Sequence, residues 1–91
     1  MNAPVARRVT IHGAVQGVFF RETTRRRAEQ RGVRGWVANR PDGTVEAHFE
    51  GDADAVEALV HFAGEGPRGA TVERVDVRDA DPEGLAGFDV R

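Results

Sequence analysis

The chain has 91 residues, a formal net charge of -2 and no cysteine. A chain this short buries only about 60 to 65% of the surface that its unfolded form exposes, so we expect one domain over residues 1–91 with one modest core. The absence of cysteine excludes disulfides, a thiolate metal site and a cysteine nucleophile. No stretch approaches the roughly 20 apolar residues of a membrane span, and the first residues lack a secretion-signal core. We therefore expect a cytoplasmic protein.

The charge is distributed unevenly along the chain. Residues 1–40 contain nine Arg and two Glu, whereas residues 41–91 contain four Arg and thirteen acidic residues, which gives +7 against -9. This asymmetry favours an anionic ligand near the first half, unless the two halves interleave in space. All the basic residues are Arg, so a lysine Schiff base and a Walker-type phosphate lysine are excluded.

The first elements follow from hydrophobic periodicity. Val9 and Ile11 alternate with polar residues, which predicts a half-buried strand that ends at Gly13. Residues 21–31 are predicted to form a helix, with Gly32 as its left-handed cap. The inward candidates of this weakly amphipathic helix are Phe20, Thr24 and Ala28.

Two strands joined by a turn come next. Residues 33–39 and 44–50 are predicted strands, and residues 40–43 carry the Pro, Asp and Gly of a turn. We expect the first of them to run beside the first strand of the chain. In the second, one face carries Val45, Ala47 and Phe49, and the other carries Glu46, His48 and Glu50. This alternation indicates a sheet with one covered and one open face.

The second half of the chain repeats the pattern of a helix followed by a strand. Asp52 or Asp54 can cap a helix whose apolar stripe consists of Val56, Leu59, Val60 and Ala63. Residues 64–67 end it, residues 72–78 form a strand, and Phe88 with Val90 gives a short terminal strand. The order is βαββαβ plus one strand. It predicts an α+β, ferredoxin-like split βαβ sandwich, in which both helices cover one face of an antiparallel sheet.

The segment between the first strand and the first helix can bind an anion. Gly13 and Gly17 allow backbone angles that turn successive N–H groups towards one point. The start of the helix adds unpaired donors and a partial positive charge. Arg21 supplies a permanently charged fork of donors that matches two oxygens of a phosphate. The segment therefore predicts a phosphate site.

Other polar residues have simpler interpretations. The three histidines, His12, His48 and His61, show no metal-ligand spacing, so no metal site is predicted. Gln16 is expected to brace the loop, and Trp36 is expected to pack. Arg25, Arg26 and Arg27 are expected to form an exposed helix face that adds to the positive field.

Two segments point to a known family. Residues 11–21 (IHGAVQGVFFR) and residues 35–39 (GWVAN), followed by Gly43, Val45 and Gly51, closely resemble the two signature segments of acylphosphatases. The resemblance implies a free-standing enzyme that hydrolyses a carboxyl-phosphate mixed anhydride to carboxylate and inorganic phosphate. It implies no metal, no other cofactor and no covalent intermediate.

The same resemblance implies roles for particular residues. Arg21 is expected to bind the phosphoryl group, and Asn39 is expected to orient the attacking water. The backbone amides expected to share the phosphoryl group belong to Val15, Gln16, Gly17, Val18, Phe19 and Phe20. Physical chemistry agrees, because phosphoryl transfer depends mainly on positioning and on stabilising charge on the equatorial oxygens.

The alternatives are a non-catalytic anion-binding module and an RNA-binding module. RNA-binding sheets of this topology stack bases on aromatic residues of the open face. Here that face is expected to carry Thr10, His12, Glu46, His48 and Glu50, and the chain has no Tyr. We therefore expect an acyl phosphate as partner, phosphate or sulfate as a product-like ligand, and neither nucleic acid nor membrane. No large apolar stripe remains outside the core, so a monomer is expected.

Overall fold

The computed structural model describes residues 3–91 of the chain, which contain five strands and two helices. The strands are β1 (Val5–Ala14), β2 (Arg34–Asn39), β3 (Val45–Gly51), β4 (Thr71–Ala80) and β5 (Phe88–Val90). The helices are α1 (Phe20–Gln30) and α2 (Ala53–Glu65). Every predicted element is present. The main difference is that β1 and β4 extend beyond the alternating residues that predicted them.

The strands form one sheet in the order β4-β1-β3-β2-β5. The four long strands pair antiparallel, and β5 is added parallel to β2. The expectation that β2 runs beside β1 is wrong, because Ala47 of β3 pairs with Val9 on one side and with Val37 on the other. The connection through α1 leaves room for one strand between β1 and β2, and β3 occupies that position. This arrangement is the ferredoxin-like split βαβ fold.

One face of the sheet and both helices form the core. β1 contributes Val9 and Ile11, and β3 contributes the predicted face of Val45, Ala47 and Phe49, all buried. α1 buries Phe20, Thr24 and Ala28, and α2 buries Val56, Leu59, Phe62 and Ala63. The predicted inward faces are thus confirmed, although Val60 is only partly buried and Phe62 joins the α2 face. Within residues 3–91, no helix is long and apolar enough to cross a membrane.

The opposite face of β3 is not open along its whole length. His48 and Glu50 are both 0% exposed, so the expectation that they face solvent is wrong. The connection formed by residues 81–87 covers Glu50, and the His48 ring stacks on Trp36 at 6.2 Å between centroids. Alternation in the sequence identifies the face of a strand, but it does not reveal a loop that returns across that face from 30 residues later.

The basic and acidic halves of the chain interleave through the sheet. Arg8 pairs with Glu83 at 3.2 Å, and Arg34 approaches Glu50 at 3.8 Å. Arg40 pairs with Glu46. Much of the charge asymmetry between the two halves of the sequence is therefore neutralised by these ion pairs. This agrees with the alternative in which the two halves interleave in space.

β1 does not end at Gly13 as predicted, because it continues to Ala14 after an irregularity in its pairing with β4 between His12 and Gly13. Gly13 has a φ of 132°, and a Cβ there would lie 2.1 Å from the Thr71 carbonyl oxygen. Only glycine allows the two backbones to approach this closely. The irregularity fixes the exit of β1 towards α1 and thereby sets the start of the predicted anion loop.

Candidate active site

A cavity of about 390 Å³ lies where the loop after β1 meets the start of α1 and the end of β2. It brings Arg21 and Asn39 together, although 18 positions separate them in the sequence. The full lining consists of Val15, Gly17, Phe19, Phe20, Arg21, Glu22, Asn39 and Val90. Of the predicted loop residues, Gln16 and Val18 do not line it.

The loop of residues 15–20 has free backbone donors. Within the described residues 3–91, none of its N–H groups donates a hydrogen bond to another protein group. Gly17 has a φ of 76°, and Phe19 adopts the left-handed conformation with a φ of 59°. Val15 is fully buried and anchors the loop in the core. Consecutive unpaired N–H groups next to a helix N-terminus can bind an oxyanion.

Arg21 lies in the first turn of α1, beside the loop. Its Nη1 donates to the backbone carbonyl of Arg91 at 2.9 Å, which orients the guanidinium towards the end of β5. In the part of the chain that the structure describes, no Asp or Glu side chain forms an ion pair with Arg21. Its remaining donors are therefore available to a ligand in the cavity.

Among the described residues, Glu22 carries the only side-chain carboxylate of the cavity lining, and this carboxylate is paired with arginines of α1. Arg25 donates to Glu22 through both Nε and Nη2, and Arg26 approaches the same carboxylate at 3.5 Å. These arginines lower the pKa of Glu22, chiefly through the Arg25 hydrogen bond. They keep the carboxylate ionised and oriented along the helix, which reduces its repulsion of a bound anion.

Asn39 is the last residue of β2, and the turn of residues 40–43 follows it. Within residues 3–91, its carboxamide has no hydrogen-bond partner. Gln16 connects the loop to this turn, since its Nε2 donates to the carbonyls of Arg40 at 2.8 Å and of Thr44 at 2.9 Å. The bracing role predicted for Gln16 is thus confirmed, and it holds the two predicted segments together.

Sequence reasoning missed three contributors to this site. Val90 and the carbonyl of Arg91 come from the C-terminal strand, whose parallel pairing with β2 places them beside Asn39 and Arg21. Glu22 was not singled out. The spacing of Glu22, Arg25 and Arg26, at i, i+3 and i+4, could have identified the ion pairs on one helix face. Nothing in the local sequence indicates where the end of the chain lies.

The geometry first defines a class of protein. It is an α+β sandwich in which a loop with unpaired backbone donors, a guanidinium and a carboxamide line one cavity. Such a set can hold a phosphoryl group and position water near it. No group of three or more metal-ligating side chains is present among residues 3–91.

Comparison with known proteins identifies the family. The acylphosphatase family model matches residues 7–90. An acylphosphatase of Nocardioides sp. is 57% identical and covers 91% of this chain and 84% of its own length. One from Rubrobacter xylanophilus is 58% identical, over 92% of this chain and 77% of its own. The structure of an acylphosphatase from Coxiella burnetii has a TM-score of 0.92 at 39% identity, covering 97% of this chain and 93% of its own.

The chain therefore belongs to the acylphosphatase family. It is an enzyme that hydrolyses acyl phosphates to a carboxylate and inorganic phosphate. This confirms the resemblance seen in the two sequence segments and does not favour the anion-sensor and RNA-binding alternatives. The burial of His48 and Glu50 also removes part of the face that an RNA-binding sheet would need.

Proposed function

We propose that Arg21 and the backbone amides of residues 15–20 bind the phosphoryl group of the substrate and that Asn39 orients the attacking water. The observation that supports this most is that both side chains line one cavity and that, within residues 3–91, no Asp or Glu side chain pairs with Arg21. The proposal explains how a site without a conventional acid-base pair performs the hydrolysis that the family membership assigns.

Binding of the phosphoryl group supplies the electrostatic part of catalysis. Charge on the three equatorial oxygens is stabilised by N–H groups and by a guanidinium that are already in place before the reaction. The Arg91 carbonyl occupies one donor of Arg21 and leaves the others for the oxygens. Because the donors are preorganised, little reorganisation accompanies the transition state.

Asn39 suits the positioning of water because its side chain is neutral. Its oxygen accepts a hydrogen bond from the water, while its N–H₂ group donates elsewhere. A carboxylate in its place would add a negative charge beside the phosphoryl oxygens and would weaken substrate binding. The free carboxamide at the end of β2 is consistent with this role.

The leaving group needs little help from the protein. A departing carboxylate is a weak base, so protonation by a dedicated general acid is dispensable. Glu22 is unsuited to that task in any case, because Arg25 keeps its pKa below the ordinary value of 4.5. As the resemblance to acylphosphatases implies, we propose that water attacks phosphorus directly, with no covalent intermediate and no metal.

The chain is further proposed to act as a single domain and as a monomer in the cytoplasm, on small acyl phosphates. β4 is a sheet edge whose charged residues oppose pairing with another sheet, namely Glu73, Arg74, Asp76, Arg78 and Asp79. Inorganic phosphate and sulfate are expected to occupy the phosphoryl position as product-like ligands. The lack of cysteine fits a reducing compartment.

The decisive experiment follows phosphate release from benzoyl phosphate in the presence of EDTA. The wild-type chain is expected to turn over without added metal. Arg21→Ala is expected to lose at least about 10²-fold in kcat/KM, as removal of one preorganised donor does elsewhere. Inhibition by phosphate is expected to weaken with it. Arg21→Lys is expected to fail too, because an ammonium cannot reproduce the guanidinium fork.

Asn39→Ala separates water positioning from phosphate binding. We expect kcat to collapse while inorganic phosphate still inhibits competitively, because the loop amides and Arg21 are intact. Weakened inhibition at unchanged kcat would contradict the role of Asn39. An active Arg21→Ala enzyme would overturn the site as a whole.

A further inference from the structure

Large apolar side chains are seldom exposed in this protein, and two that are exposed lie at the active site. Among residues 3–91, the exposed ones are Phe19 at 83%, Val77 at 48% and Val90 at 40%. Phe19 and Val90 line the cavity that holds Arg21 and Asn39, whereas Val77 lies on the edge strand β4. The exposed apolar surface is thus concentrated beside the phosphoryl site.

The conformation of Phe19 makes its exposure more notable. It precedes α1 with a φ of 59° and a ψ of 25°, in the left-handed region where a bulky side chain is uncommon. Its carbonyl accepts the N–H of Thr23 at 3.0 Å, so its backbone helps to start the helix. Its ring contributes nothing to the core, and Asn or Gly would adopt this backbone with less strain. Packing and local conformation therefore do not account for a phenylalanine here.

The substrate provides a reason. An acyl phosphate consists of a phosphoryl group and an acyl group joined by one oxygen. When the loop amides and Arg21 bind the phosphoryl oxygens, the acyl group must point away from these donors. Among the described residues, Phe19 from the loop and Val90 from β5 are the exposed large apolar side chains that line the same cavity as those donors. An apolar acyl group can bury surface against them.

We propose that Phe19 and Val90 form an acyl-group subsite that selects acyl phosphates with an aromatic or bulky aliphatic acyl group. The subsite depends on the proposed function, because it requires the phosphoryl group to lie against residues 15–20 and Arg21. A small acyl group such as acetyl gains little from it. Glu22 in the same lining disfavours an acyl group that carries a second negative charge.

The test compares benzoyl phosphate with acetyl phosphate. The measured quantity is the ratio of their kcat/KM values in the wild type and in Phe19→Asn, a variant that removes the ring but tolerates the left-handed backbone. We expect the ratio to fall about fivefold or more, in the range associated with losing an aromatic contact. Val90→Ala is expected to lower it by about twofold.

Val77→Ala is the matched control for Val90→Ala, since it removes a similarly exposed valine from β4. It is expected to retain both the wild-type ratio and the wild-type turnover. An unchanged ratio in Phe19→Asn rejects the subsite. Equal losses for both substrates together with weaker phosphate inhibition also reject it, because Phe19 then acts only through the shape of the loop. Arg21→Ala tests the phosphoryl site separately. If the phosphoryl group does not bind at Arg21, this variant will leave inhibition by phosphate unaltered.

Discussion

Two loops of this chain differ in whether their backbone N–H groups have an acceptor within the described residues 3–91. In residues 81–87, the N–H groups of Glu83, Gly84 and Leu85 converge on the Glu50 carboxylate at 2.7 to 3.1 Å. In residues 15–20, the N–H groups have no protein acceptor within the described chain. The N–H groups of the first loop therefore stabilise the fold, whereas those of the second are proposed to bind the phosphoryl group of the substrate.

The comparison extends to the side chains around each loop. Glu50 is fully buried, accepts a hydrogen bond from His48 Nε2 at 2.8 Å and lies 3.8 Å from Arg34. The cavity beside Arg21 differs, because among residues 3–91 its lining contains one acidic side chain, Glu22, which is already paired with Arg25. An anion supplied by the chain contributes to stability at all times, whereas one supplied from outside contributes only when substrate is present.

Removing the internal anion is expected to have the largest effect. Glu50→Ala leaves three partly buried N–H groups and the buried His48 without their acceptor, and it should lower the free energy of unfolding by about 3 kcal/mol or more. Urea denaturation measures this loss. Glu46→Ala, on the same strand, removes a carboxylate that pairs with Arg40 and Arg78 near the surface, and it should cost about 1 kcal/mol or less. Equal losses in the two variants would show that the loop of residues 81–87 does not depend on Glu50.

The ease of predicting these two loops from sequence was very different. The predicted anion-binding segment is formed by residues close in sequence. Gly13, Gly17 and Arg21 lie within nine positions, so its chemistry could be predicted directly. Its left-handed residues include the expected Gly17, at a φ of 76°. The loop over Glu50 is not local, because 33 residues separate Glu50 from Glu83. No pattern in residues 81–87 indicates that their N–H groups bind the Glu50 carboxylate, so the sequence alone predicts an exposed Glu50.

Long-range order limited the other predictions in the same way. The helices, their inward faces and the turn of residues 40–43 follow from periodicity and from turn chemistry, and all are present. The wrong neighbour for β2 and the missed roles of Val90 and Arg91 both concern which strand lies beside which. Strand order depends on the packing of the whole sheet, which one strand's own sequence does not encode.

The protonation of Glu50 gives a second test of the comparison. Burial opposes ionisation of Glu50, but hydrogen bonds from the Glu83 amide, the His48 ring and the Leu85 amide outweigh it and hold its pKa below the ordinary 4.5. A carboxyl whose folded pKa is lowered stabilises the protein above its unfolded pKa and loses that contribution as the pH falls through the folded value. The free energy of unfolding is therefore expected to fall as the pH is lowered from about 5.5 to about 3.

Glu50→Gln isolates this contribution from those of other carboxyls. Because the glutamine amide does not titrate, this variant is expected to show a flatter pH dependence of stability than the wild type. The difference in the free energy of unfolding between the two proteins should therefore shrink in acid. Asp76→Asn is the control, since Asp76 also has a lowered pKa, chiefly through its hydrogen bond with His12, but lies on the exposed strand β4. It should change the acid dependence much less, because solvent screens an exposed pair. A Glu50→Gln curve parallel to the wild type would mean that folding does not lower the pKa of Glu50.

The smallest expected effect concerns Gln16, which braces the loop of residues 15–20. Gln16 donates to the carbonyls of Arg40 and Thr44, and so it joins the loop to the turn that follows Asn39. Gln16→Ala removes both hydrogen bonds at a partly exposed position, where their net loss should cost about 1 kcal/mol of unfolding free energy. Since the amides of residues 15–20 and Asn39 must be held in register with each other, kcat/KM for benzoyl phosphate is expected to fall about threefold as well.

Gln30→Ala provides the comparison for Gln16→Ala, because Gln30 is an exposed glutamine at the end of α1, away from Arg21. It should alter neither stability nor activity by a measurable amount. A Gln16→Ala enzyme that is less stable but fully active would show that the loop keeps its catalytic shape without the brace. The unfilled donors would then be preorganised by Val15, which is fully buried, and by the two left-handed residues Gly17 and Phe19, and the connection to the turn would serve the fold alone.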